Sequence, residues 1–323
     1  MRNIRLKLEY DGTAYHGWQS QTNASTVQDA VTAAVNTLTG EACSLIGSSR
    51  TDTGVHAIGY VCNFFTESAI PADKFSYALN TLLPDDIVVR CSEEVPAGFH
   101  SRFDAKGKTY RYLIYNSVFP SALLRHRAYH VYYPLDIDAM NRAAQHLTGT
   151  HDFFAFSAAG GSVKTTVRTI TKAGIQAGGQ SFEQSLSQSI GRDIGQSLEQ
   201  SLGQSFKQKL ASDRPAHESD NYDGAGCNEA IGKHAAGTDL RSGRLIEFTV
   251  TGNGFLYNMV RIIAGTLIEV GFGKLSPDAI PGIIESLDRR KAGRTAPAHG
   301  LYLVEVYYDA EAGLQKNEMA DDY

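Results

Sequence analysis

The run Ile4-Arg5-Leu6-Lys7-Leu8-Glu9-Tyr10-Asp11-Gly12 alternates apolar with charged side chains and then turns. A strand sends successive side chains to opposite faces, so this pattern predicts a half-buried strand with Ile4, Leu6, Leu8 and Tyr10 inward. Downstream, Ser25-Thr26-Val27-Gln28 has the form of a capping box, and Val27, Ala30, Val31, Ala34, Val35 and Leu38 recur at helical spacing as far as Gly40. Tyr110–Tyr115 predicts another strand. Asp136 opens a second helix with Ile137, Met140, Ala143, Ala144 and Leu147 inward, stopping at Gly149. Both helices end Leu-Thr-Gly. The repeated unit implies an α+β fold of two similar α/β subdomains sharing a continuous, mainly antiparallel sheet.

At 323 residues and 35.1 kDa the chain is about twice the usual domain length, which fits two domains or one carrying an insertion. Its 42% hydrophobic and 20% charged residues exclude wholesale disorder. No window approaches the roughly 18 apolar residues of a membrane span, and Met1-Arg2-Asn3-Ile4-Arg5-Leu6-Lys7 lacks the apolar core of a signal peptide. The expectation is a soluble, cytoplasmic protein without a membrane partner. Cys43, Cys62, Cys91 and Cys227 are scattered, with no C-x-x-C pair, so they read as reduced structural thiols and imply no metal.

One stretch breaks the globular texture. From Ala173 to Gly243, Gln-Ser recurs at 180, 184, 188, 196, 200 and 204, with an apolar residue at every fourth position and five glycines between Gly178 and Gly203. The spacing allows a marginal amphipathic helix, and the glycines favour disorder. A polar linker, Asp213–Asp239, follows. Then Arg244–Val250 resumes a strand able to pair with the one near Val167–Ile170, so the segment reads as an insertion into a hairpin, either an expanded surface loop or a partner-binding helix.

The formal charge of −5 weighs against a nucleic-acid partner only on average. Residues 173–243 hold nine acids against six bases, and residues 309–323 hold five against one, which leaves the rest at +2. Within that rest, Phe99–His130 carries Arg102, Lys106, Lys108, Arg111, Arg125 and Arg127 against the single acid Asp104, with Tyr and Phe interleaved. Such a stretch suits a polyanion.

Chemistry points to Ser49-Arg50-Thr51-Asp52-Thr53-Gly54-Val55-His56-Ala57, between the strand-like runs Ser44–Gly47 and Ile58–Phe65, which puts Asp52 on a loop at a sheet end. Arg50 and Asp52 could be no more than a local ion pair closing a turn. Asp-Thr-Gly is also the aspartic-protease tripeptide, but that chemistry needs two carboxylates sharing a proton, and no second copy exists. What remains is one ionised carboxylate among basic neighbours, suited to nucleophilic attack or to stabilising a cationic intermediate, as at C1′ or C6 of a nucleotide.

Arg50-Thr51-Asp52-Thr53-Gly54-Val55-His56-Ala57 resembles the catalytic signature of the tRNA pseudouridine synthase A family. Glu9–Gly12 with Tyr15–Gln19, Phe99-His100-Ser101-Arg102-Phe103, Tyr110-Arg111-Tyr112, Asn253-Gly254-Phe255 through Met259-Val260-Arg261, and Gly300–Leu303 resemble its other blocks, in order. The likeness runs from about Ile4 to Tyr308, outside the insertion. It implies a central RNA-binding cleft and a cofactor-free isomerisation of uridines 38, 39 and 40 in the anticodon arm of tRNA by a homodimer. Asp52 is then the nucleophile. Addition to the base, addition to the sugar and elimination to a glycal all stay open.

By the same resemblance Tyr110 packs against the uracil ring, although a strand tyrosine can equally be core. Arg261 interrupts the apolar run Phe255–Ile268. A buried guanidinium needs an anion, Asp52 by the resemblance, unless it snorkels to the helix end. Arg50 helps turn the uridine out of its stem. Phe99, His100, Ser101, Arg102 and Phe103 are the RNA-contacting block, and Lys164 is a further basic contact, though Ala158–Ser162 beside it is poor in charge. Ser48-Ser49 replaces the small, often Gly, residues usual before Arg50. The expected organisation is residues 1–98 as N-terminal subdomain with the catalytic loop, 99–172 with 244–309 as C-terminal subdomain, 173–243 as insertion and 310–323 as acidic tail. The competing reading is a catalytically inactive tRNA-binding or chaperone protein.

Overall fold

The computed structural model describes residues 1–160, 163–177 and 243–309. The Gln-Ser repeat, the polar linker and the acidic tail lie outside them. In chain order the elements are β1 (Arg2–Tyr10), α1 (Val27–Thr39), β2 (Ile46–Gly47), β3 (His56–Thr66), α2 (Phe75–Asn80), β4 (Ile87–Val95), β5 (Gly107–Asn116), β6 (Tyr129–Val131), α3 (Ile137–Gln145), β7 (Gly149–Asp152), β8 (Val167–Ala177), β9 (Arg244–Gly252), α4 (Met259–Gly271), α5 (Ala279–Ser286) and β10 (Leu301–Tyr307).

The strands form one sheet in the order β4-β1-β3-β10-β5-β9-β8-β7, with β2 added on β3 and β6 on β5. Its ladders are antiparallel except β10 on β3 and β6 on β5. The last strand closes the two halves on each other, pairing Tyr302 with His56 on one side and Leu303 with Tyr110 on the other. That edge of β3 is shared, since His56 and Ala57 pair with β10 and Cys62 and Asn63 with β2, while β1 takes the opposite edge. Residues 48–55 leave the sheet from β2 and re-enter it at His56, which puts the Asp52 loop at the seam between the halves.

The alternation in β1 decides the core as expected: Ile4, Leu6, Leu8 and Tyr10 are at most 3% exposed. Helix α1 lays Val27, Val31, Ala34 and Val35 on this face and ends at Gly40, whose φ of 73° is left-handed. Its cap sits one residue later than Ser25-x-x-Gln28 indicates. Thr26 accepts from the Asp29 N–H, because Asp29 offers the carboxylate in the first turn that Gln28 lacks. Asp136 caps α3 as read, accepting from the Ala139 N–H. The shared Leu-Thr-Gly ending is a coincidence of letters, however. After Gln145 the chain tightens through Leu147 N–H to Ala144 and Thr148 N–H to Gln145, and Gly149 opens β7 instead of capping a helix.

β8 and β9 pair as the two arms of the interrupted hairpin, from Ile170 with Gly252 to Ala177 with Ile246. β8 therefore extends five residues past the expected boundary at Ala173. Ile175 is buried and its N–H is taken by the Asn141 side chain of α3, so these residues belong to the sheet. Helix α4 begins only at Met259, with Phe255 and Leu256 in the turn before it. It then buries Met259, Val260, Ile262, Ile263, Leu267, Ile268 and Val270, each contributing roughly 1.5–3 kcal/mol for a large side chain.

Candidate active site at the seam of the sheet

The Asp52 loop is held from below by the N-terminal block. Trp18 N–H donates to the Thr51 carbonyl at 3.3 Å and Gly54 N–H to that of Tyr15 at 3.2 Å. Tyr10 Oη shares a hydrogen bond with Thr51 Oγ1 at 2.9 Å, and the Trp18 ring stacks on Tyr60 with centroids 4.0 Å apart. The Asp52 carbonyl accepts from Val55 N–H at 3.1 Å, closing a four-residue turn in which Gly54 takes φ 76°. A side chain at this third position would be strained, which is why the motif carries glycine there.

Arg261 comes from the first turn of α4, two hundred residues downstream, and meets Asp52: Nη1 lies 3.2 Å from Oδ2, with the two side chains 18% and 25% exposed. The same Nη1 donates to Asn258 Oδ1 at 2.7 Å and Nε donates to the Ala296 carbonyl at 2.8 Å. Asn258 stands at φ 59°, a left-handed conformation that Asn tolerates better than most residues. The guanidinium is thus fixed by three acceptors rather than snorkelling. Ala296 is brought there by residues 293–297 crossing α4. Gly293 N–H donates to Thr266 Oγ1, Ala296 N–H to the Arg261 carbonyl, and Tyr112 Oη to the Pro297 carbonyl.

Burial raises the Asp52 pKa above its ordinary value, while the charge and hydrogen bond of Arg261 pull it down. The net direction is upward, opposite to the sequence expectation of a carboxylate held low by basic neighbours, because desolvation outweighs the single ion pair. Tyr110 completes the group. It lies in β5 with its ring edge-on to Phe255 at 5.0 Å, and its hydroxyl is lifted to about 12 by burial and the Asp52 charge, with the Ser49 side chain opposing.

The remaining expected residues divide. Arg50 is exposed and pairs with no acid among the described residues, so the local Arg50–Asp52 ion pair is absent. Arg102, Phe103 and Lys164 are exposed, Phe103 to 74%, and His100 stacks on Phe103 at 4.2 Å. Phe99 and Ser101 are interior, at 5% and 0% exposure. Phe99 packs between Arg5 and Tyr308, and Ser101 Oγ donates to Asn63 Oδ1 at 2.7 Å. In this arrangement both side chains brace the block from behind. Three residues were not singled out from the sequence. They are Asn258, whose polar side chain just before the apolar helix was the available signal; Ala296, whose contribution is a backbone carbonyl with no sequence signature; and Lys108, legible only as one of six bases. Among the described residues no three His, Cys, Asp or Glu side chains converge in a group that could hold a metal ion.

The model of the family described as tRNA pseudouridine synthase matches residues 8–104 and 143–309. Among curated relatives, tRNA pseudouridine synthase A of Acetivibrio thermocellus is 50% identical over 311 residues, covering 95% of this chain and all of the relative. The protein of the same name from Ruminiclostridium cellulolyticum is 47% identical over 308 residues, with the same coverage. The tRNA pseudouridine synthase A 2 of Clostridium tetani is 44% identical over 310 residues, covering 95% of this chain and 99% of the relative. With half its residues shared along nearly the whole length of such a relative, the chain belongs to the tRNA pseudouridine synthase family, whose members are isomerases acting on tRNA.

Proposed function

We propose that the protein isomerises uridines 38, 39 and 40 of the tRNA anticodon arm, with Asp52 as the nucleophile. In the reaction the N1–C1′ bond breaks, a C5–C1′ bond forms, the C5 proton leaves and N1 ends protonated, so no cofactor is consumed. The observation that carries this reading is the Asp52–Arg261 pair, three-quarters buried beside the Tyr110 ring. The routes through base, sugar or glycal share one requirement, an ionised carboxylate aimed from a dry wall at the sugar and base of an unstacked nucleotide. Arg261 aims and neutralises it, Tyr110 supplies a flat face for the uracil, and exposed Arg50 stands at the mouth to fill the stem position the uridine leaves.

We place the enzyme in the cytoplasm as a homodimer. No helix among the described residues is long and apolar enough to cross a membrane. Pairing two near-neutral chains would concentrate positive potential around one tRNA. Tritium release from tRNA labelled at uridine C5, followed by mapping of the modified positions, is the test. The wild type is expected to release tritium from positions 38–40. Asp52→Asn is expected to bind tRNA with nearly unchanged affinity and to release none; an active Asp52→Asn enzyme removes the assignment. The inactive tRNA-chaperone reading expects binding without release from the wild type, and the presence of Asp52, Tyr110 and Arg261 in one site weighs against it.

A further inference from the structure

Lys108 lies in β5 two residues before Tyr110, so both side chains stand on one face of the sheet, about 7 Å apart along the strand. Its Nζ donates to the Ser48 carbonyl at 3.0 Å, two residues before Arg50, and that is its one hydrogen bond among the described residues. A largely buried ammonium normally carries a carboxylate partner. Here the charge that acts on Lys108 is of the same sign, that of Arg102. The nearby acids are engaged elsewhere, Asp104 on the His100 N–H and Asp309 on Lys106. Among the described residues Arg102 also has no acid partner; its guanidinium lies over the Phe103 ring at 5.8 Å. Other bases around the sheet are neutralised, Arg5 by Glu93, Arg90 by Glu9, Arg111 by Glu247 and Arg127 by Asp11.

We infer that Lys108 and Arg102 form a phosphate subsite, holding the RNA backbone one step away from the nucleotide presented to Asp52. The inference rests on the isomerase reading for the identity of the polyanion. Burial of Lys108 with only a carbonyl for partner and the like charge of Arg102 both raise the energy of the free protein, and a phosphodiester relieves both. Lys108 supplies a point charge and Arg102 a planar fork of donors. The separation of Lys108 from Tyr110 is comparable with one backbone step of an extended strand, which would fix the register of the RNA against the uracil platform. Burial and the Arg102 charge lower the Lys108 pKa to about 8 in the free protein. An arriving phosphate favours the charged form, so binding above that pH takes up a proton.

The test is the affinity of the full-length protein for a tRNA transcript, measured against salt at pH 7 and pH 9. For the wild type, affinity is expected to weaken about tenfold from pH 7 to pH 9 as Lys108 loses its proton. Lys108→Met is expected to bind several-fold more weakly at pH 7, to lower the salt slope by about one unit and to remove that pH dependence. Lys108→Arg, charged at both pH values, is expected to keep the affinity and slope and to lose only the pH dependence. Thermal unfolding of each variant separates loss of contact from loss of fold. Lys108→Met with wild-type affinity and slope overturns the subsite, and so does Lys108→Arg that folds normally yet binds no better than Lys108→Met. A wild type that binds tRNA but releases no tritium would overturn the isomerase reading alone, since the phosphate contact is read from binding.

Discussion

Gly265 is the point where the Arg261 clamp can be loosened without touching a reacting group. The residue sits inside α4, one turn after Arg261, and a Cβ built on it would stand 1.7 Å from the Arg294 carbonyl oxygen and 2.9 Å from its carbon. A carbon and an oxygen need about 3.2 Å, so Gly265→Ala must push residues 293–296 away from the helix by roughly 1.5 Å. That segment carries the Ala296 carbonyl, 2.8 Å from Arg261 Nε, and a retreat of this size breaks the bond. Overpacking of this kind costs about 1–3 kcal/mol. Loss of a well-aimed group by about 1 Å costs on the order of 10²-fold in rate. The expected outcome is a folded protein with a lowered unfolding temperature, kcat for tritium release reduced about a hundredfold and tRNA affinity little changed. Gly282→Ala in α5 is the control. A Cβ there meets nothing within 4 Å, so the substitution is expected to stabilise by about 0.5–1 kcal/mol and leave kcat alone. If Gly265→Ala keeps wild-type kcat and unfolding temperature, the crossing segment does not position Arg261 and the reasoning fails.

Since burial raises the Asp52 pKa against the pull of Arg261, the acid limb of the pH–kcat profile is expected above that of an ordinary aspartate; Arg261→Gln, which removes the opposing charge, is expected to move it higher still, and a limb that stays put contradicts the pairing. Lys108 has its folded pKa lowered to about 8, so between pH 8 and 10.5 the unfolded chain binds more protons and stability rises with pH; Lys108→Met is expected to flatten this rise in urea titrations, by up to about 3 kcal/mol across the window. The His56 ring is buried, with Nδ1 3.1 Å from both the Gly12 nitrogen and Asp11 Oδ1 and Nε2 3.1 Å from the His299 carbonyl. Burial lowers its pKa against the charge of Asp11, so again the unfolded chain binds more protons, and stability is lost as pH falls below about 6.5. His299 shifts in the same direction, so the measurement is a difference: the unfolding temperature of His56→Gln is expected to fall less steeply between pH 7 and pH 5 than that of the wild type.

What the sequence made legible is what local periodicity and side-chain chemistry can encode. The alternation of Ile4 to Tyr10 settles which face of β1 is buried, since a period of two has one inward set. The spacing in Val27–Leu38 does the same for α1. An arginine inside the apolar run Phe255–Ile268 is legible because such a charge demands a partner. The central place of β10 was not legible, because pairing Leu303 with both Ala57 and Tyr110 is a contact across most of the chain, and nothing within Leu301–Tyr307 specifies its neighbours. The Ala296 carbonyl was hidden too, since every residue has one and only the path of the backbone gives it a role. The inward setting of Phe99 and Ser101 was hidden for a related reason: a motif shows which residues occur together, not which of them face outward, and Asn63 and Arg5, which hold them inside, lie far away in sequence.

The same distinction explains why so much of the likeness to the family lies in residues that do no chemistry. Tyr10, Tyr15 and Trp18 never approach Asp52 as reactants, yet each holds the Thr51–Gly54 loop: Tyr10 by a hydroxyl on the Thr51 side chain, Tyr15 by a carbonyl and Trp18 by an N–H on its backbone. Arg261 is placed in the same way by Asn258 and Ala296. A carboxylate that must stay ionised while buried can tolerate little displacement of its one cation, because at 3.2 Å the ion pair is already outweighed by desolvation in the direction of its pKa. Loosening either support would tip Asp52 further toward the protonated, inert acid. Precision in the two backbone cradles is therefore part of the acid–base balance of the site, and a variant such as Gly265→Ala should lower the rate and raise the acid limb together, whereas damage to RNA binding alone would lower affinity and leave that limb in place.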